Sequence, residues 1–180
     1  MVYVDLPLQT DRFMLRTLGK ADATDRYASW FDDIVVSEFI EWKPQGARIR
    51  ELERYIALHN NRADSLLVGI FTHDGEHIGN LKFEPIDDHS GEAVVGVLVG
   101  SVAWRGQGVF QEVFPPLARY LKESRGIRTL RLGVNTSNAA ALRAYSKMGF
   151  KIDAGEASAD GECVWMKVSV ADVLRSETKD

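Results

Sequence analysis

Residues 93–124 read AVVGVLVG, SVAWRGQGVF and QEVFPPLARYLKES in succession. The first eight are mostly small or β-branched and end at Gly100, which predicts a strand. The last fourteen carry Val113, Leu117, Tyr120 and Leu121 at helical spacing. Between them lies a turn with Gly106 and Gly108, where backbone amides can face inward unobstructed by side chains. Strand, glycine turn and helix start together make an anion site, built from unpaired N–H groups and the positive end of the helix dipole. One expectation cuts against the local rules. Pro115 and Pro116 lie inside the helical stretch, and their missing donors argue for a restart there. The spacing nevertheless predicts one helix from about Gly108 to Ser124, distorted near the prolines.

The phosphate loop GxxxxGK[ST] does not fit, because no Lys-Ser or Lys-Thr pair follows the glycines. A dinucleotide fingerprint also fits poorly, because Phe110 and Gln111 follow Gly108 and the turn lies past mid-chain. The stretch instead resembles the acetyl-coenzyme A motif of the GNAT acyltransferase superfamily: Arg or Gln, two residues, Gly, one residue, then Gly or Ala. Here those positions are Arg105, Gly108 and Phe110, and Phe110 departs from the small residue of the pattern. A second segment, NTSNAAALRAYSKMGF at 135–150, resembles the family's later motif. It supplies an Asn near a helix start, a Tyr further along, and a Gly-Phe opening the next strand. The likeness covers roughly residues 10–170, and its layout is closest to the branch of ribosomal-protein N-terminal acetyltransferases. It implies an α/β (α+β) fold: a mixed, mostly antiparallel sheet of about seven strands, flanked by helices and splayed centrally to admit CoA.

Composition narrows the class. A chain of 180 residues, 45% hydrophobic, is sized for one domain with a full core; that domain spans 1–180, with its core at about 10–170 and a polar tail at 171–180. The 22 basic and 26 acidic residues, net −4, are mixed along the chain, so no basic block is present for a nucleic-acid backbone. No apolar run reaches membrane length. The first residues lack a signal-peptide pattern, and Cys163 is the only cysteine, so no disulfide framework exists. A cytoplasmic protein is expected, either monomer or homodimer, with Cys163 facing the core of a late strand.

Taken in order, the pattern predicts a strand at 12–18, a helix from Lys20 to Trp30, a second short helix within 30–42, and a helix at 48–61. A hairpin follows, with strands at 65–72 and 77–87 and its turn at Asp74-Gly75. Further strands are expected at 127–134, 150–154 and 161–169, with a helix after Asn138 and a frayed end or short helix from Val170. His59 reads as a helix-surface or cap residue, and His73 and His77 as solvated turn neighbours. No His, Cys and carboxylate spacing matches a closed metal site.

Acyl transfer from a thioester to an amine requires holding the thioester, polarising its carbonyl, freeing the amine of a proton and protonating the leaving thiolate. The resemblance assigns the pyrophosphate to Arg105, Gly106, Gln107, Gly108, Val109 and Phe110. It gives the pantetheine arm to the backbone of Leu98, Val99 and Gly100, as an added strand, with a backbone N–H near Val99 polarising the carbonyl. Asn138 and Ala141 are implied cofactor contacts, and Tyr145, on the same helix face by its spacing, is the implied general acid. Glu92 and Glu84, beside the central hairpins, are candidates for a base, with a weak preference for Glu92. Residues 30–42 concentrate aromatics among acids. Trp30, Glu38, Glu41 and Trp42 are candidates for the acceptor wall, and a plain core helix is the competing reading. The expected cofactor is acetyl-CoA and the acceptor an amine: a peptide N-terminus, an amino sugar or a small amine. The alternative is a non-catalytic acyl-CoA-binding or interaction protein on the same scaffold.

Overall fold

The computed structural model describes residues 7–40, 42–157 and 161–176. Eight strands form one sheet in the order β1-β2-β3-β4-β5-β6-β8-β7. They are β1 (Leu8–Gln9), β2 (Phe13–Thr17), β3 (Leu66–Thr72), β4 (His77–Asp87), β5 (Glu92–Val99), β6 (Thr129–Asn135), β7 (Lys151–Ala157) and β8 (Cys163–Ser169). The helices are α1 (Asp25–Ser29), α2 (Ile34–Phe39), α3 (Arg48–Asn60), α4 (Val109–Arg125), α5 (Ala139–Lys147) and α6 (Val170–Ser176). The two-residue β1 raises the strand count to eight from the expected seven. By contacts the chain forms two compact units, one of residues 1–83 and 96–109, the other of 84–95 and 110–180.

In the first unit, β2 and β3 pair antiparallel from Phe13↔Thr72 to Thr17↔Val68, and β3 pairs antiparallel with β4. Every residue of β3 is buried, as expected of an interior strand covered on both faces. Leu52, Ile56 and His59 form the buried stripe of α3; Leu52 and Ile56 pack with Leu18, Tyr27, Trp30, Leu67 and Phe71. Each fully buried apolar side chain in such a cluster contributes roughly 1.5–3 kcal/mol. His59 is therefore buried rather than on the helix surface, and its Nδ1 lies 2.8 Å from the Ser65 hydroxyl.

The helix expected from Lys20 to Trp30 is broken, for a local reason. Asp22 accepts from the Gly19 N–H at 2.7 Å and pairs with Arg16 at 2.6 Å, closing a 3₁₀ turn at Lys20–Asp22. Thr24 then starts afresh, its hydroxyl accepting from the Tyr27 N–H and capping α1. Another 3₁₀ turn at Trp30–Asp32 precedes α2, which Asp33 caps by accepting from the Val35 N–H at 2.8 Å.

In the second unit, β6 pairs antiparallel with β8, and β8 with β7. The ladder between β5 and β6 is parallel and covers three pairs, ending at Val94↔Arg131; β5 runs on for five residues, to Val99. Helix α4 is continuous through Pro115 and Pro116. Val113, Phe114, Leu117, Ala118 and Leu121 on its inner face are at most 1% exposed, so packing outweighs the donors the prolines lack. Val170 opens α6, capped by Ser169, which accepts from the Asp172 N–H at 3.0 Å; of the polar tail expected at 171–180, residues 171–176 lie in this helix with Val173 buried, and 177–180 lie outside the described residues. Cys163 is half-buried, on the face of β8 opposite the buried Met166 and Val168. The expected core-facing cysteine is thus turned the other way: the two-residue period puts it with Trp165 and Lys167. Among the described residues no helix is long and apolar enough to cross a membrane.

Candidate functional site

The end of β5 is held at a corner. The Gly100 and Ser101 N–H groups both donate to the Ile78 carbonyl at 3.0 Å. The indole of Trp30 lies against Gly100, where an added Cβ would sit 1.9 Å from a ring carbon. No other residue fits there without moving the ring. The Gly100 N–H points toward β4, so strand alternation turns the backbone groups of Val97 and Val99 to the opposite edge. Leu98 and Gly100, both expected to pair with a cofactor arm, therefore point toward β4. Val97, which the sequence reading passed over, shares the outward edge with Val99.

Arg105 is engaged by the protein itself. Its Nε donates to the Val99 carbonyl at 3.0 Å, one Nη to the Gly100 carbonyl at 3.0 Å, and the other to Asp33 at 2.9 Å. Asp33 stays ionised below the usual carboxylate range, first because the Val35 N–H donates to it and then because Arg105 does. The turn beyond is also fixed from outside. Arg12 donates to the Gln107 carbonyl at 3.0 Å, and Trp104 meets Phe13 edge-on, centroids 5.2 Å apart. Gly106 and Gly108 have φ of 71° and 73°, values open to glycine and strained for other residues. Among the described residues their N–H groups have no acceptor in the protein. Val109 then begins α4.

Phe110, the departure from the family motif, points inward. It is 6% exposed, and its ring lies 4.7 Å from Phe114 and 5.3 Å from Tyr145. The large side chain fills core rather than the space over the turn. Tyr145 is also bounded by Phe150 at 5.9 Å. Burial pushes its phenol up to about 12, and no partner for its hydroxyl appears among the described residues. Asn138 caps α5 by accepting from the Ala141 N–H at 3.1 Å, so its carbonyl oxygen already has a local task.

Of the two candidate bases, Glu92 opens β5. It pairs with Arg131 at 3.7 Å and is 43% exposed. Glu84 lies in β4, half-buried.

Of the acceptor candidates, Trp30 is 5% exposed and Trp42 packs against the same core, stacked on Tyr55 at 4.2 Å. Glu38 is exposed on α2, and Glu41 lies outside the described residues. The core reading therefore accounts for both tryptophans. Trp30 also walls a cleft of about 420 Å³, shared with Ser29, Asp33, Gly100 and Val102. His77, expected in solvent, is 7% exposed; it stacks on Phe71 at 4.6 Å and meets Asn80 at 2.8 Å. Burial holds its imidazole below the usual range, so the ring is neutral at pH 7. Asp33 was missed and His77 misplaced in solvent because their partners are set by tertiary contacts; only the cap position of Asp33, before an apolar run, was visible.

A sequence model of the acetyltransferase (GNAT) domain matches residues 12–151. The chain belongs to the GNAT acetyltransferase family and is an acyl-CoA-dependent acetyltransferase. No curated protein sequence matches it. Among solved structures it is similar to a Thermus thermophilus protein described as a putative acetyltransferase, with TM-score 0.78, 15% identity and 99% of both chains covered. It is similar to a ribosomal-protein-S5-alanine acetyltransferase from Vibrio fischeri, with TM-score 0.76, 11% identity, 93% of this chain and 98% of that one covered. It is also similar to a spermidine N-acetyltransferase from Vibrio cholerae in complex with CoA and spermine, with TM-score 0.68, 17% identity, 90% of this chain and 98% of that one covered. At these identities the likeness is one of fold.

Proposed function

We propose that the protein transfers an acetyl group from acetyl-CoA to a primary amine by direct attack in a ternary complex. The carrying observation is the pair of unpartnered N–H groups at Gly106 and Gly108, presented at the start of a long helix; such a turn suits a pyrophosphate. In this reading the pantetheine arm lies along the edge of β5 that Val97 and Val99 present, and the Val99 N–H polarises the thioester carbonyl. Tyr145 donates a hydrogen bond to the departing sulfur. Glu92 is the electrostatic partner of Arg131, and the amine gives up its proton to water or to a group nearer the end of β5. The acceptor, a peptide N-terminus, amino sugar or small amine, takes the Trp30 side, against the cleft that Asp33 and Gly100 line. An acceptor panel with acetyl-CoA, read by mass spectrometry, tests this: one acetyl group gained by an amine, with free thiol released in equal amount. CoA binding without transfer to any amine would favour a binding protein on the same scaffold.

A further inference from the structure

We propose that Asp33 is a positioning residue for acyl-CoA binding, acting through Arg105 on the turn at 105–108; this rests on the reading that the pyrophosphate occupies that turn. The Val99 and Gly100 carbonyls end β5 just before the turn, and a bare carbonyl oxygen repels an incoming anion. Arg105 covers both, at 3.0 Å each. An arginine adjoining a phosphate site would otherwise be free to rotate and pair with solvent or ligand. Asp33 prevents this by taking the remaining nitrogen at 2.9 Å, with side chains only 25% and 24% exposed. Asp33 is itself immobile, since its other oxygen caps α2. A single carboxylate thus ties a helix start to the guanidinium that shapes the turn. Gly106 and Gly108 are left free to present their amides.

The test separates position from charge. Asp33→Ser keeps a good helix cap and cannot reach Arg105; Asp33→Asn keeps both the cap and the shape and loses the charge. Calorimetry with CoA on the full chain is expected to show roughly tenfold weaker binding for Asp33→Ser and a smaller loss for Asp33→Asn. In an Arg105→Gln background the Asp33→Ser loss should vanish, because the two residues act as one unit. The KM for acetyl-CoA should rise in step with the CoA dissociation constant while the melting temperature stays near that of wild type, whereas a general loss of structure would lower the melting temperature as well. Were Asp33 merely a negative charge near an anion, its removal would tighten CoA binding. Tighter or unchanged CoA binding in both variants, with the wild type binding normally, overturns the proposal and leaves the proposed function standing. A wild type that binds no CoA overturns the proposed function, and the positioning role with it.

Discussion

Tyr145→Phe is the most direct probe of the chemistry. Phenylalanine keeps the ring against Phe110 and Phe150 and removes a hydroxyl that has no partner among the described residues, so the melting temperature should barely change. Burial lifts the phenol to about 12, against about 8.5 for a thiol. Handing the proton wholly to a thiolate is then uphill by about 3.5 units, or about 5 kcal/mol. The favoured role is a hydrogen bond to sulfur as its charge develops. A hydrogen bond to a charged group is worth about 1.5–3 kcal/mol, or about 10- to 160-fold in rate. Single-turnover acetyl transfer should slow by that factor with CoA affinity unchanged, since the bond strengthens only in the transition state. The deficit should shrink for an acyl donor with a more acidic thiol. A variant within twofold of wild type in the chemical step would remove Tyr145 from the mechanism. A loss beyond about 10⁴-fold would exceed one hydrogen bond and point to full proton transfer instead.

Other outcomes follow from the same geometry. Gly100→Ala pushes a methyl into the Trp30 ring and should cost about 1–3 kcal/mol, read as a melting temperature lower by about 2–4 °C per kcal/mol. Pro116→Ala restores a donor to the Glu112 carbonyl inside a helix already continuous there; thermal melting should show a gain of up to about 3 kcal/mol, and a fall would mean the ring's own packing outweighs that bond. Glu92→Gln should leave kcat/KM within about twofold from pH 6 to 9, because a long, partly exposed pair at 3.7 Å is what it removes; a steep loss at low pH would support Glu92 as the base. At high pH the phenols of buried Tyr27 and half-buried Tyr145 ionise later than in the unfolded chain, since desolvation raises both. Their contribution to stability is whole below pH 10 and declines as pH rises from about 10 towards 12, which denaturant melts at pH 8, 10 and 11 would track.

The core unit was legible because three local signals agreed: a β-branched run, two glycines, and apolar residues at helical spacing from Val113 to Leu121. The prolines were the only local dissent, and burial of the helix face overrode them. The tie between Arg105 and Asp33 was not legible, for a different reason. The composition-level meaning of Arg105, a cation beside an anion turn, is local, but its actual partner Asp33 lies 72 residues earlier, and no pattern along the chain encodes that distance. Phe110 read only as a departure from the motif's small residue because its direction was unknown. With Val113, Phe114 and Leu117 it completes an inward stripe at i, i+3, i+4 and i+7. Cys163 failed on parity, which depends on where the β8 register begins.

The parallel ladder of β5 stops at Val94 while the strand continues to Val99. In the proposed binding mode the backbone of Val97 and Val99 pairs with the amides of the pantetheine arm as with a neighbouring strand, so departure of the donor leaves those groups open to other chains. The protein stripped of its acyl donor should therefore be the form that associates and precipitates first on storage, and added CoA should act as a chaperone for solubility as well as a substrate scaffold.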